Sequence, residues 1–275
     1  MDRASFLRNM CGQSTLGLEI GPGYNPIFPK RLGYAIETVD YIDADGLRAK
    51  YANAGVDLGA IEDVDYVTHG ASLLEVIRRR AIYDFILASH VIEHVPDVIS
   101  FVNDCAELLS PEGRLVLAIP DKRYCFDALR PPSTAGHMLE AYAEKRTRPP
   151  LQAIFDDFFY AATRGGNIGW LRADAAPLGF FRSRPISDFL ALMQGKDGLY
   201  VNTYVDVHVW QFTPSTFRLA IYDLSSSGYL RLSEADFKDE HLGEFYCSLG
   251  RPQRTLQMDR LDLAKQALAE LARFV

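Results

Sequence analysis

Residues 18–25 read LEIGPGYN, an apolar segment that runs into a loop with Gly21 and Gly23 separated by one residue. This order predicts a strand followed by a turn in which the backbone can approach a ligand closely, because glycine carries no Cβ. The third glycine of the dinucleotide-binding fingerprint is missing, since Pro26 stands at that place in the count. The segment therefore predicts a ligand-binding strand end and disfavours a nicotinamide dinucleotide as the ligand.

Five apolar segments rich in β-branched residues predict strands, and helical patterns lie between them. The strands cover residues 16–20, 35–41, 63–67, 83–89 and 114–119, and the helices cover 44–53, 71–80 and 97–109. The tetrapeptide SPEG at 110–113 is typical of a turn that ends the last of these helices. Because strands and helices alternate, we expect a Rossmann-like α/β fold with a doubly wound, mostly parallel sheet.

The alternation stops over about residues 128–204, where six prolines separate short aromatic pieces such as AIFDDFFY at 153–160. We expect this insertion to form a helical cover over the substrate site. After it, threonine and proline at 213–214 predict the start of a helix. The segments GYLRL at 228–232 and EFYCSL at 244–249 predict an antiparallel pair of strands that brings the sheet to seven.

The last twenty residues, 256–275, predict a helix that follows a domain of residues 1–255. Leu261, Leu268 and Val275 recur at seven-residue intervals in it. Two heptads fit a final helix that packs on its own domain. They also fit a linker or oligomer helix that joins a second copy of the chain or further domains.

Composition limits the classes of function. With 48% hydrophobic and 24% charged residues, the 275-residue chain resembles an ordinary globular protein, and no apolar segment approaches the ~18 residues of a membrane span. Residues 1–15 lack the hydrophobic region of a secretory signal, so we expect a cytoplasmic protein. A net charge of −7 disfavours nucleic acid as a partner. The four cysteines form no C-x-x-C pair, which argues against a zinc cluster and a disulfide framework.

Two carboxylates are predicted at neighbouring strand ends. Glu19 directly precedes the glycine loop, and Asp40 lies near the end of the next strand. Since the carboxyl ends of parallel strands border one crevice, both side chains are expected beside a ligand there. A carboxylate at the position of Asp40 is suited to binding the two hydroxyls of a ribose.

Two further motifs follow in order, FILASHVIEHVPD at 85–97 and LLSPEGRLVLAIPD at 108–121. Together with the glycine loop, they resemble the class I S-adenosylmethionine-dependent methyltransferases, in particular a type 11-like group that acts on small molecules and glycans. The resemblance is strong over residues 16–121 and weak over 205–249. It implies S-adenosyl-L-methionine as the cofactor.

The resemblance also implies roles for individual residues. Gly21 and Gly23 would face the methionine part of the cofactor, and Glu19 would help to hold its polar end. Asp40 would accept both ribose hydroxyls. Four more residues would line the cofactor site: Tyr41, His69, Ser89 and His90.

The sequence departs from the family in two places. After the third strand the family often has an acidic residue that accepts the adenine amino group, whereas Thr68 and His69 stand here. This leaves the adenine contacts open. The connection between the first two strands, from Gly23 to Ala35, is also short, so it can hold only a very short helix.

A competing interpretation concerns HVIEH at 90–94, which matches the H-x-x-E-H pattern of zinc peptidases. The motif follows a buried strand and meets Pro96, whereas a peptidase needs a sustained helix and a third ligand downstream. We therefore expect no metal in the activity. Without a metal, Glu93 is expected on a helix surface, and His94 is expected to be a hydrogen-bonded structural histidine.

A sulfonium is an activated methyl donor, so the protein has to align the acceptor and remove its proton. The candidate general bases are His90, His94 and His208, and Asp121 or Arg123 would position the acceptor. The segments ASHVIEHVPD and AIPDKRY resemble methyltransferases of bacterial glycan assembly, which favours a sugar or glycan hydroxyl. Another small metabolite or an amine, and a catalytically silent cofactor-binding or scaffold domain, are the alternatives.

The aromatic insertion is expected to select the acceptor, because sugars stack well on aromatic rings. Phe155, Phe158 and Phe159 are the candidates for this contact. His137 and Asp157 also lie in the insertion, and each alone is more often structural than catalytic.

Overall fold

The computed structural model describes residues 2–12, 16–194, 204–239, 243–252 and 259–272. Its main sheet has seven strands: β1 (Gly17–Ile20), β2 (Ile36–Asp40), β3 (Tyr66–Val67), β4 (Tyr83–Ser89), β5 (Leu109–Pro120), β8 (Ser233–Lys238) and β9 (Glu244–Gly250). They are ordered β3-β2-β1-β4-β5-β9-β8. Strands β1 to β5 pair in parallel, and β9 is antiparallel to both of its neighbours. The predicted Rossmann-like fold with an antiparallel final pair is confirmed.

Helices cover both faces of the sheet, and a small two-stranded sheet lies in the insertion. The helices are α1 (Arg3–Cys11), α2 (Ala44–Tyr51), α3 (Leu73–Ile77), α4 (Val98–Leu108), α5 (Ala135–Ala143), α6 (Leu151–Tyr160), α7 (Pro185–Gln194), α8 (Pro214–Ser226) and α9 (Arg260–Ala272). The small antiparallel sheet pairs β6 (Ala162–Arg164) with β7 (Leu178–Phe180). None of the described helices is long and apolar enough to cross a membrane.

Successive side chains of β4 point to opposite faces of the sheet, as the two-residue period of a strand requires. Ile86 and Ala88 belong to the larger core, which includes the buried residues of α4 and α8. Phe85 and Leu87 belong to the smaller core on the other face, which is covered by α1. The sequence did not predict α1, because Leu7 is its only fully buried residue.

The structure corrects two local predictions. Residues 228–232 do not form a strand: Leu230 and Leu232 are buried in the core, but pairing with β9 begins at Ser233. The SPEG segment at 110–113 lies within β5, where it forms a bulge between the pairs that Leu109 and Arg114 make with β4. The first crossover is as short as expected, since it contains a single three-residue 3₁₀ helix over Lys30–Leu32.

The last helix, α9, packs on α8. Leu263 and Ala267 are its buried residues, whereas Leu261 and Leu268 of the heptad pattern are 60% and 69% exposed. Glu270 fixes the contact, because its carboxylate accepts hydrogen bonds from Nα and Oγ of Ser215 at the start of α8. Val275, the third heptad residue, lies outside the described residues, and whether the exposed leucines serve a linker or an oligomer stays a prediction.

Glu19 is buried beneath the glycine loop rather than on its surface. Its Oε1 accepts a hydrogen bond from the Ile27 backbone N–H (2.7 Å), and its Oε2 accepts one from Phe28 (3.0 Å). The side chain therefore shapes the loop, and its expected help in holding the polar end of the cofactor stays a prediction. Burial raises the pKa of Glu19 from its ordinary value of 4.5 to about 7.

This raised pKa predicts a pH-dependent stability. Because the folded protein binds the Glu19 proton more tightly than the unfolded chain, the free energy of unfolding should fall as the pH rises from about 4.5 to about 7. The full contribution is about 3 kcal/mol. Glu19→Gln cannot ionise, so urea unfolding of this variant at pH 5 and pH 8 should show a smaller fall than the wild type. An equal fall in both proteins would contradict the assignment.

Candidate functional site

The glycine loop reverses the chain at the carboxyl end of β1. Gly21 and Gly23 have φ angles of 65° and 52°, which L side chains rarely adopt. A Cβ added to Gly21 would also come within 2.9 Å of Cγ2 of Val91. Both positions therefore need glycine, and the loop exposes backbone at the edge of the crevice.

Asp40 lies across from this loop at the end of β2. Its Oδ2 accepts a hydrogen bond from the Gly23 N–H (3.4 Å), and its Oδ1 accepts one from the Tyr41 N–H (2.7 Å). Burial raises the pKa of Asp40 although these hydrogen bonds act in the opposite direction. The carboxylate thus borders the crevice from β2 while the glycines border it from β1.

Aromatic side chains form the rim beside Asp40. Tyr41 is 47% exposed and stacks on Tyr204, with ring centroids 5.7 Å apart. His69, at the end of β3, meets Tyr41 edge to face at 6.2 Å. The contribution of Tyr204 was not predicted, because nothing in its local sequence shows that the insertion returns to β2.

His90 follows β4 in a left-handed backbone conformation with φ 53°. Its Nε2 lies 2.7 Å from Oε2 of Glu244, the first residue of β9. Arg3 donates hydrogen bonds to both oxygens of Glu244 and to Oγ of Ser89. Burial alone would raise the pKa of Glu244, but the hydrogen bonds from His90 and Arg3 hold it at about 2.

An ionised Glu244 fixes the tautomer of His90. A carboxylate accepts hydrogen bonds only, so Nε2 of the neutral ring carries the proton and Nδ1 is left as a proton acceptor. Nδ1 lies 3.6 Å from Oε1 of Glu93. Sequence analysis missed Arg3 and Glu244, because they stand 241 residues apart and meet only in the folded chain.

Glu93 is completely buried, which corrects its predicted place on a helix surface. It lies in a 3₁₀ helix over Ile92–His94, and its backbone oxygen accepts hydrogen bonds from Val209 and Trp210. Neither of its carboxylate oxygens has a hydrogen-bond partner among the described residues. A buried carboxylate in this state needs an explanation, since such groups are nearly always paired.

His208 faces Glu93 from the segment after the insertion, with its Nε2 4.0 Å from Oε1 of Glu93. Its Nδ1 is bound to Oδ2 of the buried Asp127 at 2.6 Å, and Oδ1 of Asp127 accepts from Nη1 of Arg130 at 2.8 Å. Burial would raise the pKa of Asp127, but its contacts with His208 and Arg130 keep it below its ordinary value. Asp127 therefore orients the His208 ring.

His94 completes this cluster. Its Nδ1 lies 2.9 Å from Oδ1 of Asp206, which also pairs with Nζ of Lys50 at 3.2 Å. Burial would lower the pKa of His94, but the contact with Asp206 and the charge of Glu93 raise it. The rings of His94 and His208 are perpendicular, with centroids 4.6 Å apart. One potential ligand atom from each of Glu93, His94 and His208 lies within 4.8 Å of the other two.

Asp121 and Arg123 form an ion pair just after the end of β5. Nε of Arg123 donates to Oδ1 of Asp121 at 2.9 Å, Nη2 donates to Oδ2, and both side chains are buried. Each side chain is therefore held by the other, and their expected role in positioning the acceptor stays a prediction. Arg123 also lines a cavity of about 550 Å³ together with Arg164, Trp170 and Arg172, which does not include the glycine loop.

The phenylalanines of the insertion pack on one another. Phe155 and Phe159 of α6 stack with centroids 4.1 Å apart, and both contact Phe189 of α7, as does Phe158. Their expected role as a stacking surface for the acceptor stays a prediction. The other two insertion candidates are structural: His137 caps the start of α5, and Asp157 pairs with Arg182.

The sequence matches a family model described as a methyltransferase domain over residues 4–190, more than half of the chain. The chain therefore belongs to this family of methyltransferase domains. With its seven-stranded Rossmann-like sheet it is a class I S-adenosylmethionine-dependent methyltransferase, and S-adenosylmethionine is its cofactor. A search of curated proteins found no match.

Several solved structures resemble the chain at low sequence identity. The CcbJ methyltransferase from Streptomyces caelestis is 12% identical, with 90% of this chain and 93% of that chain covered and a TM-score of 0.46. A SAM-dependent methyltransferase from Aquifex aeolicus is 10% identical, with 90% of this chain and 88% of that chain covered and a TM-score of 0.43. The mitomycin 7-O-methyltransferase MmcR is 13% identical, with 90% of this chain and 52% of that chain covered and a TM-score of 0.42. The family assignment rests on the sequence match alone.

The buried network around Asp127 predicts a large effect of neutralising it. Asp127→Asn keeps the shape but leaves the charge of Arg130 buried without its partner, so the free energy of unfolding should fall by about 3–5 kcal/mol. Asp45→Asn is the matched control, because the Asp45 side chain is 93% exposed and its substitution should leave stability unchanged. Urea unfolding of both variants measures the difference. Similar stability of the two variants would show that the network contributes little.

Proposed function

We propose that this methyltransferase transfers the methyl group of S-adenosylmethionine to a hydroxyl of a sugar or glycan. The observation that carries the proposal is the position of His90. Its Nδ1 is free to accept a proton because Glu244 holds Nε2, and the side chain is 45% exposed at the strand edge that carries the glycine loop and Asp40. A base of this kind suits an acceptor whose proton must be removed, which is the case for a hydroxyl.

On the cofactor side, the exposed backbone of Gly21 and Gly23 receives the methionine part, and Asp40 accepts the ribose hydroxyls. Tyr41 and His69 lie on the side of the adenine, where β2 and β3 end. Glu19 acts from below by holding the loop. This arrangement follows the general rule that ligands of open α/β sheets bind outside the carboxyl ends of the strands.

On the acceptor side, the hydroxyl lies between His90 and the cluster of His94 and His208. The oxygen attacks the methyl carbon, the bond from that carbon to sulfur breaks, and the hydroxyl proton moves to Nδ1 of His90. The sulfonium thereby becomes a neutral thioether. Tyr204 brings an exposed aromatic ring from the cover to this edge, with its hydroxyl 3.5 Å from the backbone oxygen of His94. Such a ring favours a sugar as the acceptor.

Asp40→Ala tests the cofactor side. Loss of the charge-assisted hydrogen bonds to the ribose should weaken the binding of S-adenosylhomocysteine by about 1–3 kcal/mol in calorimetry. Asp45→Ala, a few residues further along the chain, should bind as tightly as the wild type, because its side chain is exposed. Equal affinities of all three proteins would remove Asp40 from the site.

His90→Gln tests the acceptor side with radiolabelled S-adenosylmethionine and a panel of sugars, glycans, amines and small metabolites. The variant should lose about 10²–10⁴-fold in kcat on the best acceptor, because it lacks the proton acceptor. His137→Gln, which removes a helix cap outside the site, should retain activity. Transfer to amines alone would favour the alternative acceptor class. Cofactor binding without transfer to any acceptor would favour a catalytically silent domain.

A further inference from the structure

We propose that Glu93, His94 and His208 bind one divalent transition-metal ion beside the cofactor crevice, and that this ion holds the oxygen of the methyl acceptor. This proposal reverses the expectation that the HVIEH motif is unrelated to metal. The local sequence shows no third ligand for the motif, and the fold supplies one in His208. His90, the first histidine of the motif, points instead to Glu244.

The buried carboxylate of Glu93 is the first indication of an ion. Glu93 is 0% exposed, and both of its oxygens lack hydrogen-bond partners among the described residues. Its neighbours, Nδ1 of His90 at 3.6 Å and Nε2 of His208 at 4.0 Å, are too far away for hydrogen bonds. Burying a carboxylate that makes no hydrogen bond is costly, and a cation at this point would offset that cost.

Each histidine of the cluster lies beside a further carboxylate. Asp127 holds Nδ1 of His208 at 2.6 Å, and Asp206 lies 2.9 Å from Nδ1 of His94. Metal-binding histidines are usually oriented in this way, with one ring nitrogen on a carboxylate and the other free to coordinate. For His208 this leaves Nε2 as the nitrogen available to an ion, whereas Nδ1 of His94 lies near Asp206 without a hydrogen bond to a described residue.

The donor set indicates the kind of metal. Two imidazole nitrogens and one carboxylate favour ions such as Zn²⁺, Co²⁺ or Ni²⁺ over Ca²⁺ and Mg²⁺, which prefer oxygen ligands alone. The potential ligand atoms are separated by up to 4.8 Å, whereas ligands of a tetrahedral ion about 2.1 Å from it stand about 3.4 Å apart. The three side chains must therefore draw together when the ion binds. Three protein ligands leave a position for an acceptor oxygen.

The role of the ion in catalysis rests on the proposed methyl transfer. As a Lewis acid it would lower the pKa of the acceptor hydroxyl and fix its oxygen near Nδ1 of His90. That nitrogen lies 3.6 Å from the ligand Glu93, so the proton acceptor and the ion border the same space. The side chain of His94 is 33% exposed, which gives an acceptor access to the site.

Metal binding is tested on the full chain, first treated with a chelator and then titrated with Co²⁺, whose visible absorption reports coordination, and with Zn²⁺ in a calorimeter. We expect one ion per chain. Glu93→Gln and His94→Gln should weaken its affinity by at least about 100-fold, and Asp206→Asn by about 10-fold or more. His137→Gln, which changes a histidine outside the cluster, should bind as the wild type does.

Thermal unfolding separates ligand loss from misfolding. Zn²⁺ should raise the Tm of the wild type and of His137→Gln but leave that of Glu93→Gln unchanged. Without metal, Glu93→Gln should be at least as stable as the wild type, because it no longer buries an unpaired charge. Absence of stoichiometric binding, or binding that the two ligand variants leave unchanged, would overturn the proposal.

Activity assays distinguish this inference from the proposed function. Methyl transfer that is lost on chelation and restored by one equivalent of metal supports both, whereas transfer unaffected by chelation overturns the catalytic role of the ion. If the metal-loaded protein binds S-adenosylhomocysteine and methylates no acceptor, the proposed function fails. In that case the pattern of binding among the variants still supports the metal site.

Discussion

The carboxyl end of β4 is the point on which the site depends. This strand is hydrogen-bonded to β1 on one side and β5 on the other, so the chain has to leave the sheet where β4 ends. His90 makes the reversal with φ 53°, a conformation that costs a side-chain-bearing residue energy. Its N–H donates to Ala118 and its ring meets Glu244, and these contacts hold the reversal. The turn then directs Glu93 into the protein.

Distant segments complete the site by docking on this turn. Val209 and Trp210 donate hydrogen bonds to the backbone oxygen of Glu93, and Nε1 of Trp210 donates to Val95 at 2.6 Å. These contacts bring His208 to face Glu93 after an insertion of more than seventy residues. Arg3 does the same from the amino terminus, because its guanidinium joins α1 to Glu244. The rim of the crevice is thus assembled from both ends of the chain.

The buried charges fall into two groups. Asp121 with Arg123, and Asp127 with Arg130 and His208, satisfy each other within the protein. Such pairs hold loops in place and orient neighbouring rings, as Asp127 orients His208. Glu93 differs because its carboxylate lies among side chains that do not satisfy it. The hydrogen-bonded carboxylates have a structural role, whereas the Glu93 carboxylate has no hydrogen bond that would explain its burial.

The sequence by itself located the five parallel strands, because apolar periodicity and turn residues are local signals. It also located the glycine loop and Asp40, since these follow directly on strands. Only the tertiary structure decided which histidines meet which carboxylates. His208 reaches Glu93, and Glu244 reaches His90, through contacts between segments more than a hundred residues apart, for which no local pattern exists. The burial of Glu93 likewise depends on what packs over it, and not on its neighbours in sequence.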